Sequence, residues 1–309
     1  MIIQKYRKKL LSLKNDYQNK RSFFTIIKSF QFTISPYFPH VLNRNHADIL
    51  NLLKIKFRLL IQNYHNLHSS SGNKIENRLW VMWWQGYNSM PTLVKSCYNS
   101  IKKVYPNMDL VLITEENYKN YLQLPEHILQ HVQNKNISLT HLSDILRMGL
   151  LSKHGGVWID ATIYLTGQID FHSKSFFSIR QHKEYARYVL KGNKWTPYLL
   201  ASSKNYKLAT FAYDFLIEYW KIENKLIDYF LIDYIIAIAY ETFPDVRADI
   251  DDLSFEYEGV YFMAEKLNDK FDKFELKKNI INKLSYKNTY TTKIDDTITN
   301  YGFLVKDFQ

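Results

Sequence analysis

Cysteine is nearly absent from this chain: Cys97 stands alone among 309 residues. One thiol excludes an intramolecular disulfide and a zinc site built on cysteines, and it fits a reducing compartment. Apolar runs long enough to cross a bilayer are also missing. The longest, near Tyr229 to Tyr240, is short and contains Asp233. The N-terminus lacks the apolar core and small residues of a signal peptide, so a cytoplasmic location is expected. With no Walker loop and no G-x-S-x-G motif, kinase and hydrolase readings lose support. Acids are scarce at one end. Residues 1–60 hold 12 Lys and Arg against two acids, Asp16 and Asp48, and so carry nearly all of the net charge of +11. A basic end on a near-neutral body suits a polyanion or an anionic membrane surface, and equally a solvated basic helix.

What is present describes a globular protein. A hydrophobic content of 46% with a mean hydropathy of −0.33 supplies a core without making the chain insoluble. The length suits one large domain, or one domain with an appendage. Residues 1–28 have helical period, and Phe30 to Pro39 reads as a connection. Asp48 to Tyr64 reads as an amphipathic basic helix with Ile49, Leu52, Leu53, Ile55, Leu59 and Leu60 apolar. His65 to Lys74, with its Ser-Ser-Ser-Gly, is a linker candidate. The expected division is a basic helical region over 1–70 and a main domain over 71–309.

In the main domain, Leu79 to Trp84 is a continuous apolar strand, Pro91 opens a helix running to about Tyr105, and Asp109 to Thr114 is a second strand. Strand, helix, strand in so short a span is a βαβ unit and implies a parallel sheet. A helix is expected from Glu115 to Tyr121. Strands are expected over Ser175 to Arg180 and Pro197 to Ser202, and a turn at Lys191 to Lys194. Helices are expected over Asn205 to Lys221 and Leu226 to Thr242, an acidic loop over Asp245 to Asp252, and a polar tail from Lys277.

The stretch Leu139 to Thr166, LTHLSDILRMGLLSKHGGVWIDATIYLT, carries the strongest pattern. Leu142, Ile145, Leu146, Gly149 and Leu150 make an apolar helical face, narrow enough at Gly149 for close packing. Thr140 is a candidate N-cap, and Gly155 suits the left-handed C′ position. Gly156 lets the chain reverse into the short strand Val157-Trp158-Ile159, and Asp160 follows at its C-terminal end. Asp144 and Arg147, at i and i+3, share a helix face turned away from the core that this hairpin could bring toward Asp160. Strand ends of this kind are where open α/β sheets bind ligands.

Asp160-Ala161-Thr162 is a D-x-D pattern whose second acid has become threonine. Together with S-D-I-L-R, K-H-G-G-V-W-I-D-A-T and the opening strand V-M-W-W-Q-G-Y-N, it resembles the sugar-binding region of family 32 glycosyltransferases. Within that family it is most similar to the bacterial capsular polysaccharide synthesis branch. The resemblance is strong from about Leu79 to Gly167 and weak elsewhere. It implies an α/β fold of the GT-A, Rossmann-like kind, a mixed sheet flanked by helices, with a basic helical N-terminal extension. It implies a retaining transferase that moves galactose or glucose from a UDP-hexose to a lipid-linked saccharide acceptor, in capsular or exopolysaccharide synthesis at the inner face of the cell membrane.

Residue by residue, the resemblance puts Trp83 against uracil, with Trp84, Gln85 and Gly86 around the nucleotide. Asp144 and Arg147 would hold the donor sugar, with Arg147 also near the phosphate and Ala161 beside it. Asp160 would meet ribose, sugar or metal. Mn²⁺ or Mg²⁺ is the implied cofactor, with Asp160 and Thr162 as its ligands, although a neutral hydroxyl is a poor ligand for a hard dication. Lys283 and Lys287, in K-L-S-Y-K, resemble a C-terminal motif of the same branch and would stabilise the departing diphosphate. Trp83 and Trp84 alternate on a strand, so one of them should face away from any pocket. Asp233, a lone acid in an apolar run, faces either the acceptor or a buried tyrosine partner. By the same analogy Ser202-Ser203 would shape donor choice. Two competing readings are a non-catalytic nucleotide-sugar binder and a basic nucleic-acid-binding protein. No nucleic-acid module is legible, so nucleic acid is not an expected partner.

Overall fold

The computed structural model describes residues 39–67, 74–172, 174–181, 194–253, 256–257 and 259–308. The helix expected over 1–28, the connection over 30–38, the Ser-rich linker at 68–73 and the turn residues 191–193 lie outside the described residues. Two compact units divide at Arg58 and Leu59. In the first, helix α1 (Pro39–Lys56) ends on Lys54 and Lys56. Ile49, Leu50 and Leu53 are buried on it, while Leu52 and Ile55 are exposed. The single helix expected from Asp48 is interrupted at Phe57, and the apolar Leu52, Ile55 and Leu59 are each exposed.

The second unit begins in α2 (Arg58–His65). Tyr64 donates to Asp214 Oδ2 at 2.5 Å and packs edge-on against Phe211, which anchors this helix on the main body. The central sheet has five strands in the order β2-β1-β3-β7-β5. They are β1 (Arg78–Met82), β2 (Asp109–Ile113), β3 (Gly156–Ile159), β5 (Phe176–Ser178) and β7 (Leu199–Ser202). β2, β1 and β3 run parallel, and β7 is antiparallel to both β3 and β5. The mixed sheet flanked by helices is therefore as expected, including the parallel β1-α-β2 crossover through α3 (Thr92–Val104).

Period-two alternation divides the sheet's residues between two faces. Leu79, Val81, Val157, Ile159, Leu199 and Ala201 enter one apolar core. The intervening Trp80 and Trp158, paired in register on β1 and β3, are buried on the other face. That face is covered by α5 (Leu139–His154), which follows α4 (Glu126–Gln133), and α6 (Lys207–Ile222) packs on α5. A Cβ on Gly149 would lie 2.4 Å from Leu122 Cδ2 and 2.7 Å from Tyr213 Cε2, so the close approach expected there is real. The N-cap of α5 is Ser138, whose hydroxyl accepts from the His141 N–H, and not Thr140. Thr140 lies inside the first turn, where its own carbonyl accepts from Ser143.

The Gly155-Gly156 turn adopts φ values of +67° and +97°. Gly155 has ψ −162°, so it lies in the glycine-only extended region and not in the left-handed helical one. A side chain on Gly156 would meet the Arg78 carbonyl at 2.6 Å. The turn thus brings β3 hard against β1.

Elsewhere the structure departs from the local pattern. Glu115 to Tyr121 forms only a turn with a single 3₁₀ segment, Tyr118–Asn120. The helix α7 (Leu231–Thr242) starts later than expected, at Leu231. The acidic stretch from Asp245 is a helix, α8 (Pro244–Asp251). Pro244 occupies its first turn and Asp245 favours the N-terminal dipole, while Val246 and Ile250, one turn apart, are buried. The tail is not simply polar. β4 (Ile163–Leu165) pairs antiparallel with β9 (Ile281–Lys283). Leu276, Leu284, Leu304 and Val305 build a second core with Leu93 and Cys97 of α3. Burial there pushes the Cys97 thiol up to about 12 despite the nearby Lys283.

Gly156→Ala is expected to destabilise the fold by on the order of 1–3 kcal/mol from backbone strain alone, with the carbonyl contact adding to it. Thermal melting checks this, and an unchanged Tm would show that the turn tolerates a side chain.

Candidate active site

The parallel strands β1 and β3 end side by side, and the chain leaving each end lines one cavity of about 260 Å³. Trp83, Trp84 and Gln85 come from the end of β1, and Asp160, Ala161 and Thr162 from the end of β3. Leu139, Thr140 and Ser143 of α5, together with Met82, Trp158 and Tyr286, complete the lining. Both tryptophans face this cavity because β1 ends at Met82, so strand alternation no longer applies to them. Trp83 meets Tyr286 edge-on at 5.5 Å, and Trp84 leans on Tyr118 at 5.2 Å.

Asp160 is the electrostatic centre of the site. Its Oδ1 accepts from Arg147 Nη2 at 3.1 Å and from Trp158 Nε1 at 2.9 Å. Its Oδ2 accepts from Lys283 Nζ at 2.8 Å. Burial acts to raise the carboxyl's pKa, but the Lys283 ammonium, the Arg147 guanidinium and these hydrogen bonds outweigh it and hold the group below its ordinary value. Arg147 also donates to Asp144 Oδ1 at 2.5 Å and lies 5.0 Å over the Trp158 ring. Burial would lower its pKa, and the two carboxylates more than reverse that.

The predicted Asp144, Arg147 and Asp160 are thus brought together, but not as an exposed helix face. Asp144 and Arg147 are buried at 7% and 4% exposure, beneath the cavity wall. His141 continues the chain inward. Its Nε2 accepts from Trp220 Nε1, which leaves Nδ1 to carry the proton, 3.4 Å from Asp144 Oδ2.

Lys283 reaches Asp160 because Ile163 pairs with Lys283 across β4 and β9, and the Leu284 N–H bonds the Thr162 carbonyl at 2.9 Å. Its ammonium lies 5.0 Å from the centroid of the Tyr198 ring. Lys283 does not itself line the cavity and meets it through Asp160, and Lys287, four residues on, is exposed and does not line it either. Gly86 lies outside the lining as well. Its φ of +83° shapes the turn after Gln85. Ser202 and Ser203 are buried and do not line it either.

Sequence reasoning gave no site role to Trp158 or Tyr286. Trp158 stands two residues before Asp160 on a strand, hence on the same face, and that spacing was a readable signal. His127 and His131, at i and i+4 on α4, both lie against carbonyls of α6, those of Ile217 and Trp220.

Asp233, in the first turn of α7, is buried and accepts from Trp195 Nε1 at 3.1 Å, so its partner is an indole and not a tyrosine. Burial pushes its carboxyl up to about 7, the Trp195 hydrogen bond and Arg147 opposing and Asp144 and Asp228 adding. An acid whose folded pKa is raised holds its proton in the native state at pH values where the unfolded chain has lost it. Its contribution to stability therefore falls as pH rises from about 4, the unfolded value, through the folded value. Asp233→Asn keeps an oxygen acceptor for Trp195 and removes the titration. The variant's Tm advantage over the wild type is expected to be small near pH 4 and to grow to its full size above pH 7. A difference that does not vary with pH would refute the assignment.

An O-glycosyltransferase of Annulohypoxylon truncatum is 25% identical over 104 residues, covering 31% of this chain. The chain spans about a quarter of that protein's length. Among solved structures, the PaToxG glycosyltransferase aligns over 68% of this chain and 83% of its own, with 14% identity and a TM-score of 0.43. A glycosyltransferase involved in glycosylation of the major capsid of PBCV-1 aligns over 68% and 94%, with 11% identity and a TM-score of 0.32. The sequence match that spans most of the chain, residues 31–302, is to the capsular polysaccharide synthesis proteins, and the chain belongs to that family.

Proposed function

We propose that this protein is a GT-A-type glycosyltransferase related to family 32. In this reading it transfers glucose or galactose from a UDP-hexose, with retention at the anomeric carbon, to a lipid-linked saccharide in capsule or exopolysaccharide synthesis. The observation that carries the reading is the placement of Asp160. It stands at the C-terminal end of a central parallel strand, in a cavity wall, held by Arg147, Lys283 and Trp158. Membership of the capsular polysaccharide synthesis family supports the same conclusion.

The chemistry fits the surfaces. Trp83 and Tyr286 offer ring faces and edges for a planar base. Asp160 offers a fixed carboxylate for sugar or ribose hydroxyls, and Ser143 and Thr140 add hydroxyls across the cavity. Asp144 is too deep to touch a ligand, so it acts through Arg147 as a positioning residue. At about 260 Å³ the cavity is below the ~300–1,000 Å³ of drug-sized ligand sites, so it accommodates part of a nucleotide sugar and the rest lies along the open rim.

Screening UDP-glucose and UDP-galactose for thermal stabilisation and turnover tests this reading. Asp160→Asn preserves size, removes the charge and exchanges one of the two acceptor oxygens for an N–H donor group. It is expected to lower kcat of the folded protein by at least about 100-fold and to lower Tm as well, because Arg147 and Lys283 lose a shared counter-charge. Wild-type turnover in that variant would reject the assignment.

The basic end supports a peripheral membrane position. On α1, exposed Leu52 and Ile55 alternate with Lys54 and Lys56, a pairing of apolar and cationic groups suited to an anionic bilayer surface. The full chain is expected to co-sediment with phosphatidylglycerol vesicles and to be released by salt. A chain lacking residues 1–60 should stay in solution. Equal sedimentation of the two would reject the anchor.

A further inference from the structure

We propose that Lys283 takes the place of a divalent cation in this site, so that the protein binds and turns over its donor without metal. The proposal rests on the glycosyltransferase reading above and concerns the charge that meets the diphosphate.

The donor set is the first argument. A carboxylate offers roughly four lone-pair positions, and three on Asp160 are already engaged by Arg147, Trp158 and Lys283. A dication on Oδ2 would have to displace the Lys283 ammonium or lie beside it, like charge against like. The second argument is the neighbour. Thr162, which lines the same cavity, supplies a neutral hydroxyl and not a second hard anionic ligand, so a dication here would rest on one already engaged carboxylate and the substrate's own phosphates.

The third argument is what Lys283 supplies in exchange. Strand pairing fixes it next to Thr162, and its side chain keeps 19% exposure. An ammonium carries three N–H donors, and Asp160 takes one of them. The charges already balance: Asp144 and Asp160 against Arg147 and Lys283. An incoming diphosphate meets a neutral set, so it is bound by the Lys283 N–H groups that Asp160 leaves and by drawing the ammonium toward itself.

In the transfer, the bond between hexose C1 and the diphosphate oxygen breaks and its electron pair stays on the diphosphate. The acceptor hydroxyl oxygen bonds to C1, and its proton passes to the departing diphosphate. The extra negative charge on the leaving group is what Lys283 stabilises, a point charge fixed in advance where charge develops.

The experiment uses the full chain, freed of metal with EDTA and compared with samples supplemented with Mn²⁺ or Mg²⁺. UDP binding is followed by calorimetry, and UDP-glucose and UDP-galactose turnover by product release. The expected result is wild-type binding and turnover unchanged by EDTA within about twofold. Lys283→Met, which keeps the aliphatic volume, should lose at least about 100-fold in turnover and should not recover with Mn²⁺. Loss of wild-type binding or turnover on EDTA treatment, restored by Mn²⁺, would overturn the proposal, as would full activity in Lys283→Met. Titration of Mn²⁺ alone into the wild-type chain separates this from failure of the glycosyltransferase reading. If no UDP-sugar binds or reacts under any condition, that reading falls. Stoichiometric Mn²⁺ binding that Asp160→Asn removes would overturn the lysine substitution whether or not a UDP-sugar reacts.

Discussion

A carboxylate at the end of a central strand, shared between a guanidinium, an ammonium and an indole, ties together a helix, a central strand and a strand near the C-terminus. Asp160 belongs to the loop after β3, Arg147 to helix α5, Lys283 to strand β9 near the C-terminus, and Trp158 to β3 itself. Buried ions are costly unless each finds a counterpart. Here Asp144, Arg147, Asp160 and Lys283 alternate in sign, so the set is neutral as a whole. The hydrogen bonds to Asp160 come from three side chains at once, which restrains its carboxylate, although Arg147 Nε and His141 Nδ1 are buried without a hydrogen-bond partner among the described residues. The network therefore presents one carboxylate to the cavity in a single orientation.

The surrounding architecture serves that placement. The Gly-Gly turn presses β3 against β1, so the two strand ends open at the same level and their following loops form one wall. Large aromatic side chains fill the space behind. Trp80 donates to the Gly155 carbonyl, fixing the turn from below, and Trp158 both carries Arg147 on its face and bonds Asp160. The C-terminal segment closes the other side: its β9 strand joins β4, and its apolar residues pack on α3. A capsular polysaccharide synthesis protein built this way holds its anionic and cationic groups on regular strands and a helix, and leaves the loops to shape the rim.

Much of this was legible in the residues. The apolar period of α5, the paired glycines and the four buried residues of β3 are strong local signals, and each element formed where the pattern put it. The parallel β1-α3-β2 unit was equally readable, because a buried strand, an amphipathic helix and a second strand admit few arrangements. Other positions were misread for identifiable reasons. Asp245 to Asp252 looks like a loop by charge, but its two buried positions, Val246 and Ile250, have helical spacing. Ser138 and Thr140 are both competent N-caps, and only the backbone geometry of the first turn chooses Ser138. The sequence placed Asp144 and Arg147 on one helix face but on the wrong side of it, since a charged pair in isolation looks like surface.

By itself the sequence determined the local pieces: which stretches are helix or strand, where the chain must turn on glycine, and that Asp144, Arg147 and Asp160 lie near one another. The tertiary structure alone decided that Asp144 and Arg147 are buried and that Lys283, 123 residues from Asp160, completes its coordination. Local periodicity fixes the conformation of a segment because neighbours along the chain set its backbone angles. It carries no information about which distant strand will pair with it or in what register. That choice is made by the packing of the whole core, and it is what puts an ammonium beside the Asp160 carboxylate.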